Sequence, residues 1–390
     1  MNYMNTKSLV LLLLVAIGCN SGQEIEVKKT HSSNTERLPL VENKPIKNVI
    51  LLIADGTGIA QISSGQLNIV GADGYLNLQR MPVTGLVKTQ SSNSLITDSA
   101  AGATAYSCGM KTNNGMIAFL PDDSHCKTLV EIAEEKGMST GLVATSTITH
   151  ATPASFAAHV RSRANQAGIA KQYLDSNVEV FLGGGREFFI PQDQEGSSRK
   201  DDLNLIEEFE KKDYEYVSTA EEMKNSSSNK ILGLFANSGL NSENRTPTLG
   251  EMTVTALSKL EINEKGFFLM VEGSQIDWAG HGNNAEYAIR EMKDFDDAVK
   301  EALDFAEKDG ETLVVLTADH ETGGMTMLNS SEDPNKLRVE WVTDYHTGVP
   351  IALMAYGPHA IQFGGWNDNT DIGIKIAELM NFGEFPIILE

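Results

Sequence analysis

Seven short runs of this chain are almost wholly apolar: Asn48–Ala54, Gly141–Ser146, Glu179–Leu182, Ile231–Ala236, Phe267–Glu272, Leu313–Ala318 and Pro350–Ala355. They are rich in Val, Ile, Leu and Phe and lack polar alternation, the pattern of strands covered on both faces. Helical patterns lie between them, over Leu129–Lys136, Pro153–Arg163, Leu205–Lys211, Gly250–Leu260 and Asn284–Lys308. In the longest, Ile289, Met292, Phe295, Val299, Ala302 and Phe305 recur every three or four residues and form one stripe to bury. Strands alternating with helices over some 300 residues predict an α/β fold, a doubly wound and mostly parallel sheet flanked by helices. Polar, turn-rich stretches at Pro191–Asp202 and Lys224–Lys230 read as surface loops. No internal repeat or linker divides the pattern, so residues 45–390 are expected to form a single domain.

The first residues follow another rule. Lys7 precedes an apolar run, Leu9 to Ile17, too short to span a bilayer but suited to the core of an export signal. It ends at Ala16-Ile17-Gly18-Cys19, which looks like a bacterial lipobox. Residues 1–18 are therefore expected to be a lipoprotein-type signal peptide, Cys19 the lipidated residue, and residues 19–44 a polar tether. The other reading is a plain signal peptide with an incidental cysteine. Cys108 and Cys126 are the two remaining thiols. They allow one bridge in an oxidising compartment, which is not assumed.

Composition narrows the function. Among 390 residues, 41% are apolar and 22% charged, which excludes disordered and fibrous classes. The 31 Lys and Arg against 53 Asp and Glu give a net charge of −22, a field that repels nucleic-acid backbones, so no nucleic-acid-binding module is expected. A small anionic substrate stays possible if metal ions reverse the charge locally.

Ligands in such sheets bind at the carboxyl ends of the strands. Asp55-Gly56 follows the first strand, and His150-Ala151-Thr152 follows the second. Glu272 ends the strand from Phe267, with Asp277 and His281 beyond it; Asp319-His320 follows Leu313–Ala318, and His346 stands just before Pro350–Ala355. Asp277 and His281 share one face of a helical turn. Gathering these groups without cations would be costly. Carboxylate-plus-imidazole sets suit zinc, and carboxylate-plus-hydroxyl sets suit magnesium. The small-residue run Thr97-Asp98-Ser99-Ala100-Ala101-Gly102-Ala103 reads as a closely packed helix. It also puts Ser99 at a helix start, where amides and the helix dipole favour an anion. There is no Gly-x-Ser-x-Gly elbow, Walker loop or dinucleotide fingerprint. Metal activation is then the remaining route to a reactive Ser99.

As a set, these residues resemble the alkaline phosphatases. Asn48–Gly56, Thr97-Asp98-Ser99-Ala100, Ala151-Thr152-Pro153 with His159-Val160-Arg161-Ser162-Arg163, Val271-Glu272-Gly273, Asp277 with His281, Thr317–Gly323 and His346-Thr347-Gly348 follow that family's motif order over about residues 45–360. The resemblance implies a phosphomonoester hydrolase that releases inorganic phosphate through a phosphoserine, at a site of two zinc ions and one magnesium. Asp277, His281 and His346 would hold the first zinc, and Asp319, His320 and the bridging Asp55 the second. Thr152, Glu272 and Asp55 would serve magnesium. Ser99 would be the nucleophile, and Arg163, oriented by Asp98, would grip phosphate; Arg161 stands two residues away as the rival arginine. A homodimer completes what the resemblance implies, and the lipobox implies a membrane attachment only through the lipid and a periplasmic or outer-membrane-anchored location in a bacterium.

Departures from the pattern carry their own expectations. His150 stands where many bacterial relatives have aspartate, and a neutral imidazole is a poor direct magnesium ligand, so contact through water is expected. Trp278 replaces a lysine or histidine and reads as packing beside the metal site. Only 24 residues separate Glu321 from His346, which implies a reduced crown insertion. His31, His125 and His359 match no motif and read as surface histidines. A two-metal phosphodiesterase of the same superfamily is the main alternative; such enzymes usually lack the Thr152–Glu272 site and the arginine. A sulfatase would need a Cys-x-Pro-x-Arg motif, which neither Cys108 nor Cys126 provides. A silent metal- or phosphate-binding lipoprotein predicts damage to Ser99 or Arg163, and both are intact.

Overall fold

The computed structural model describes residues 22–28 and 36–389. The run Leu9–Ile17, Cys19 and His31 lie outside the described residues. Ten strands form the central sheet. In spatial order they are Gly365–Asp368, Val83–Lys88, Ile351–Tyr356, Thr312–Thr317, Asn48–Ala54, Phe267–Gly273, Ser139–Thr147, Val180–Gly184, Ile231–Leu234 and Glu215–Val217. Neighbours run parallel except around Ile351–Tyr356, which is antiparallel to both of its partners. All seven expected strands are present, shifted by one or two residues at their ends.

The absence of alternation has a direct cause. Val49, Leu51 and Ile53 enter one hydrophobic core, and Ile50, Leu52 and Ala54 enter the other. Every residue of that strand is buried, so both faces must be apolar. Ser99–Cys108, Leu129–Glu135, Ala151–Ala157 and Asn369–Leu379 cover the first face. Leu249–Leu260 and Ala285–Asp309 cover the second. The long helix begins at Asn284, whose side chain accepts the Tyr287 N–H, and stops at Gly310 with φ 74°, a left-handed cap that glycine adopts without a Cβ clash.

Two expectations are corrected. The helix expected over Pro153–Arg163 ends at Ala157, because Ala158 is extended (φ −147°, ψ 159°) and Val160 pairs with Ile117 instead. Arg163 therefore stands on a turn. Part of the tether is folded: Gln23–Glu26 pairs antiparallel with Lys336–Glu340 and buries Ile25. The thiols Cys108 and Cys126, whose pairing the sequence leaves open, are joined, with Cα atoms 5.8 Å apart. Val83–Lys88, Glu215–Val217 and Gly365–Asp368 were not foreseen; two of them are short edge strands with half-exposed residues, where hydrophobic patterning is weak. Among the described residues no helix is long and apolar enough to cross a membrane.

Candidate active site

The parallel strands bring their ends level. Ile53 is paired with Glu272 on one side and Thr317 on the other, so Asp55, Glu272 and Asp319 emerge at one edge of the sheet. His346 belongs to that edge too, because Ile351–Tyr356 runs antiparallel and presents its beginning where its neighbours present their ends. His320 and Asp55 are fully buried there, and Asp277 and His346 nearly so.

The histidine tautomers reveal what the cluster is built for. His281 Nδ1 donates to the Asp344 carbonyl at 2.6 Å, and His346 Nδ1 to the Thr97 carbonyl at 2.8 Å. Their Nε2 atoms then carry lone pairs, yet they face each other at 3.2 Å. The Asp277 carboxylate stands 3.4 Å from one and 3.6 Å from the other. Two lone pairs and a carboxylate converging on one point is a cation-binding arrangement, with the second ring nitrogen oriented by backbone. The Thr322 hydroxyl, bonded to Asp277, also lies 3.2 Å from His320 Nδ1.

Beside it, Asp55, Asp277 and His320 offer ligand atoms within 4.8 Å of one another. Asp319 Oδ2 lies 3.3 Å from His320 Nε2, and Asp319 Oδ1 accepts the amides of Gly56 and His320. Asp277 thus borders both groups. A third group comprises Asp55, His150 and Glu272. Both Asp55 oxygens, Asp319 Oδ2, Glu272 Oε1, Thr152 Oγ1 and His150 Nδ1 are buried with no hydrogen-bond partner. Burial, then the charges of Asp319, Asp277 and Glu272, holds Asp55 well above the usual carboxylate range. Burial raises Asp319 as well and pushes Glu272 up to about 7. It also lowers His320, with His346 adding to the effect. Anions gathered at such cost fit cations, and the oxygen-and-imidazole donor set fits the metals inferred from sequence.

Next to these groups, Ser99 begins the Ser99–Cys108 helix, whose cap is Asp98. Ser99 Oγ lies 3.3 Å from His320 Nε2. Asp98 divides its oxygens: Oδ1 accepts from the Ala101 amide, and Oδ2 from the Gly115 amide and from Arg163 Nη1 at 3.0 Å. Arg163 Nη2 is 3.2 Å from His150 Nε2. That nitrogen accepts, so the proton of the neutral ring sits on Nδ1. Burial and the Arg163 charge bring His150 down to about 3, which keeps the ring neutral. Arg161 is elsewhere, over the Phe119 ring and paired with Asp123.

The family comparison decides the rest. Residues 46–333 match the family model described as alkaline phosphatase. The chain belongs to the alkaline phosphatase family. Alkaline phosphatase 3 of Bacillus subtilis is 38% identical over 427 residues, covering 86% of this chain and 89% of that protein. The Escherichia coli alkaline phosphatase is 32% identical and covers 85% of each. Among solved structures, the alkaline phosphatase of the Antarctic bacterium TAB5 shares 40% identity with a TM-score of 0.81, covering 87% of this chain and all of that one. This alkaline phosphatase is accordingly a metal-binding phosphomonoester hydrolase.

Within it, every metal-site residue singled out from sequence lies at the same sheet edge. Trp278 is half-buried, with its ring edge against His150 at 6.2 Å and its six-membered ring against Gly239. His125 and His359 are half-buried rather than exposed. Sequence reading assigned no role to Thr322, to the carbonyls of Thr97 and Asp344, or to Ser274, whose hydroxyl bonds Glu272 at 2.6 Å. Nor did it single out Tyr345, stacked on His346 at 4.5 Å. Carbonyls carry no side-chain signal, and these contacts cross up to about 250 residues of chain.

Proposed function

We propose that Ser99 is the nucleophile of this phosphomonoesterase and that the reaction passes through a phosphoserine at a site for two zinc ions and one magnesium. The observation that carries this reading is the position of Ser99 Oγ, at a helix N-terminus between the His320 cluster and the Asp98–Arg163 pair. Asp277, His281 and His346 would hold one zinc; Asp55, Asp319 and His320 the other; Asp55, Thr152 and Glu272 the magnesium. When bound, such ions lower the proton affinity of hydroxyl groups and neutralise charge on the attacking and leaving oxygens.

The protein's own groups do the remainder. Arg163 grips two phosphoryl oxygens with its planar fork, and Asp98 holds that fork in place. Ser99 Oγ, freed of its proton, forms the O–P bond as the ester P–O bond breaks; the leaving alcohol takes up a proton from solvent. A water oxygen then attacks phosphorus, the Oγ–P bond breaks, phosphate leaves, and Ser99 recovers its proton. The helix amides beside Ser99 favour the anion throughout. With its proton on Nδ1, His150 would meet magnesium through water. A variant of the TAB5 enzyme with aspartate in place of a histidine has magnesium in its M3 site, which supports a magnesium site on this family's scaffold. The same reading exports the chain by residues 1–18, lipidates Cys19, and makes the anchored enzyme a homodimer.

The test is hydrolysis of p-nitrophenyl phosphate beside bis-p-nitrophenyl phosphate at about pH 8–10, where metal-lowered hydroxyl groups are ionised. Wild type and Ser99→Ala would be compared, with zinc and magnesium and after chelation. A chelator-sensitive monoester rate lost in Ser99→Ala is the expected result. A faster diester, or an unimpaired Ser99→Ala, would overturn the assignment.

A further inference from the structure

The segment that leads to Arg163 is held by one side chain that the reaction does not use. His159 Nδ1 lies 3.0 Å from the Ala118 carbonyl, and Nε2 lies 2.9 Å from Glu131 Oε1. Both partners are acceptors only. A neutral imidazole has one N–H and one lone pair, so it can satisfy only one of them; the imidazolium satisfies both. Glu131 is itself fixed, since its other oxygen accepts the Thr128 amide in the cap of its helix. The His159 backbone is bracketed by Gln172, which accepts from its N–H and donates to its carbonyl.

Ala118 is a special anchor. It sits in the left-handed region at φ 43°, a conformation that costs a residue with a Cβ. Its amide donates to Thr104 Oγ1 on the Ser99 helix, and its carbonyl accepts from the Cys126 amide as well as from His159. The loop containing it is zipped to the arginine segment: Ile117 and Val160 exchange both backbone bonds, and the Arg163 amide donates to the Gly115 carbonyl at 2.8 Å. The Gly115 amide in turn bonds Asp98 Oδ2, the oxygen that Arg163 Nη1 also meets.

We propose that His159, as an imidazolium clamped between Glu131 and Ala118, is the positioning residue that locks the Arg163 segment onto the 115–119 loop and so aims the Asp98–Arg163 pair at phosphate. The inference rests on the reading of Arg163 as the phosphate grip. His159 touches neither substrate nor metal ligands; it acts through Arg163. Burial works against its charge, but the hydrogen bond and charge of Glu131 outweigh burial and the net direction is upward. The other titratable groups about it are His125, whose ring is 5.5 Å away, and Lys127, Glu134, Glu135 and Asp175, which line the same cleft of about 440 Å³. Lys127 is spent on Glu135 and Lys212 on Asp175, so Glu131 is the charge that favours the imidazolium. Raising the pH through the His159 titration removes a proton, breaks one of the two bonds and frees the arginine segment.

The experiment uses the metal-loaded enzyme with inorganic phosphate as competitive inhibitor. Asparagine can replace Nδ1 as donor to Ala118, and glutamine can replace Nε2 as donor to Glu131. His159→Gln is expected to weaken phosphate inhibition and raise KM about tenfold with little change in kcat, less than the ~100-fold that a 1 Å misplacement can cause. His159→Asn is expected to restore most of that loss. In wild type, phosphate inhibition should weaken through an extra titration, displaced upward from that of a free imidazole, that both variants lack, and histidine ¹⁵N shifts should show both ring nitrogens of His159 protonated below that titration. A His159 that titrates below a free imidazole, or a His159→Gln enzyme with wild-type KM and pH profile, would overturn the inference. Equal losses in both variants, in kcat and melting temperature together, would reduce His159 to packing and also overturn it. Arg163→Ala is the control: unchanged phosphate inhibition there would sink the grip itself and the inference with it, whereas a loss there beside a normal His159→Gln sinks the inference alone.

Discussion

Removing the metals should make the stability of this enzyme depend on pH in one direction. Glu272 is fully buried at the sheet edge, bonded to Ser274 Oγ through one oxygen and to no partner through the other. Without cations its carboxyl is raised from 4.5 to about 7. The folded protein then holds a proton that the unfolded chain releases, so this stabilising term is complete below about pH 4.5 and is lost as pH rises towards 7. At about 1.4 kcal/mol per tenfold change in proton affinity, Glu272 alone costs the metal-free fold about 3 kcal/mol at pH 8. Asp55 and Asp319 move in the same direction. For a chain of this length the unfolding entropy is roughly 0.8 kcal/mol/K, so the Glu272 share is about 4 °C of melting temperature. Calorimetry at pH 5 and pH 8, after chelation and again with zinc and magnesium, reads this directly. The chelated protein should melt lower at pH 8 than at pH 5, Glu272→Gln should remove about 4 °C of that difference, and the loaded enzyme should show little of it. A chelated protein equally stable at both pH values, or a Glu272→Gln variant with the full difference, would refute the reasoning.

Two further outcomes are expected. Glu134 accepts from Thr140 Oγ1 beside Glu179, and burial with that neighbour's charge pushes it up to about 8; Glu134→Gln should therefore be neutral near pH 5 and stabilise by about 1–3 kcal/mol at pH 9, and an unchanged denaturant midpoint at pH 9 would count against it. Mass spectrometry of the exported protein should find its first residue to be Cys19 carrying diacylglycerol, and Cys19→Ser should release it from membranes; an unmodified N-terminus beyond residue 19 would end the lipoprotein reading.

Much of the enzyme was legible in one dimension. Strands buried on both faces must be apolar throughout, so Asn48–Ala54 and Phe267–Gly273 announce themselves. In a parallel sheet ligands gather at strand exits, so Asp55, Glu272 and Asp319 could be grouped before any coordinates. Asp98 and Ser99 are local as well, since a helix cap and the residue after it depend on neighbours in sequence. Other decisions depended on partners far along the chain. Residues 158–163 have enough helical character to continue the Ala151 helix, but pairing with residues 115–118 pulls them off it, and only that turn sets Arg163 against Asp98. Ring tautomers at His281 and His346 are chosen by carbonyls of Asp344 and Thr97, which no side-chain pattern encodes. Joining Cys108 to Cys126 required the loop between them to fold back on the Ser99 helix. Residue type and period determine which groups are available and which face is buried; distance between remote segments, set only by packing, determines which of those groups share a proton, a metal or a phosphate.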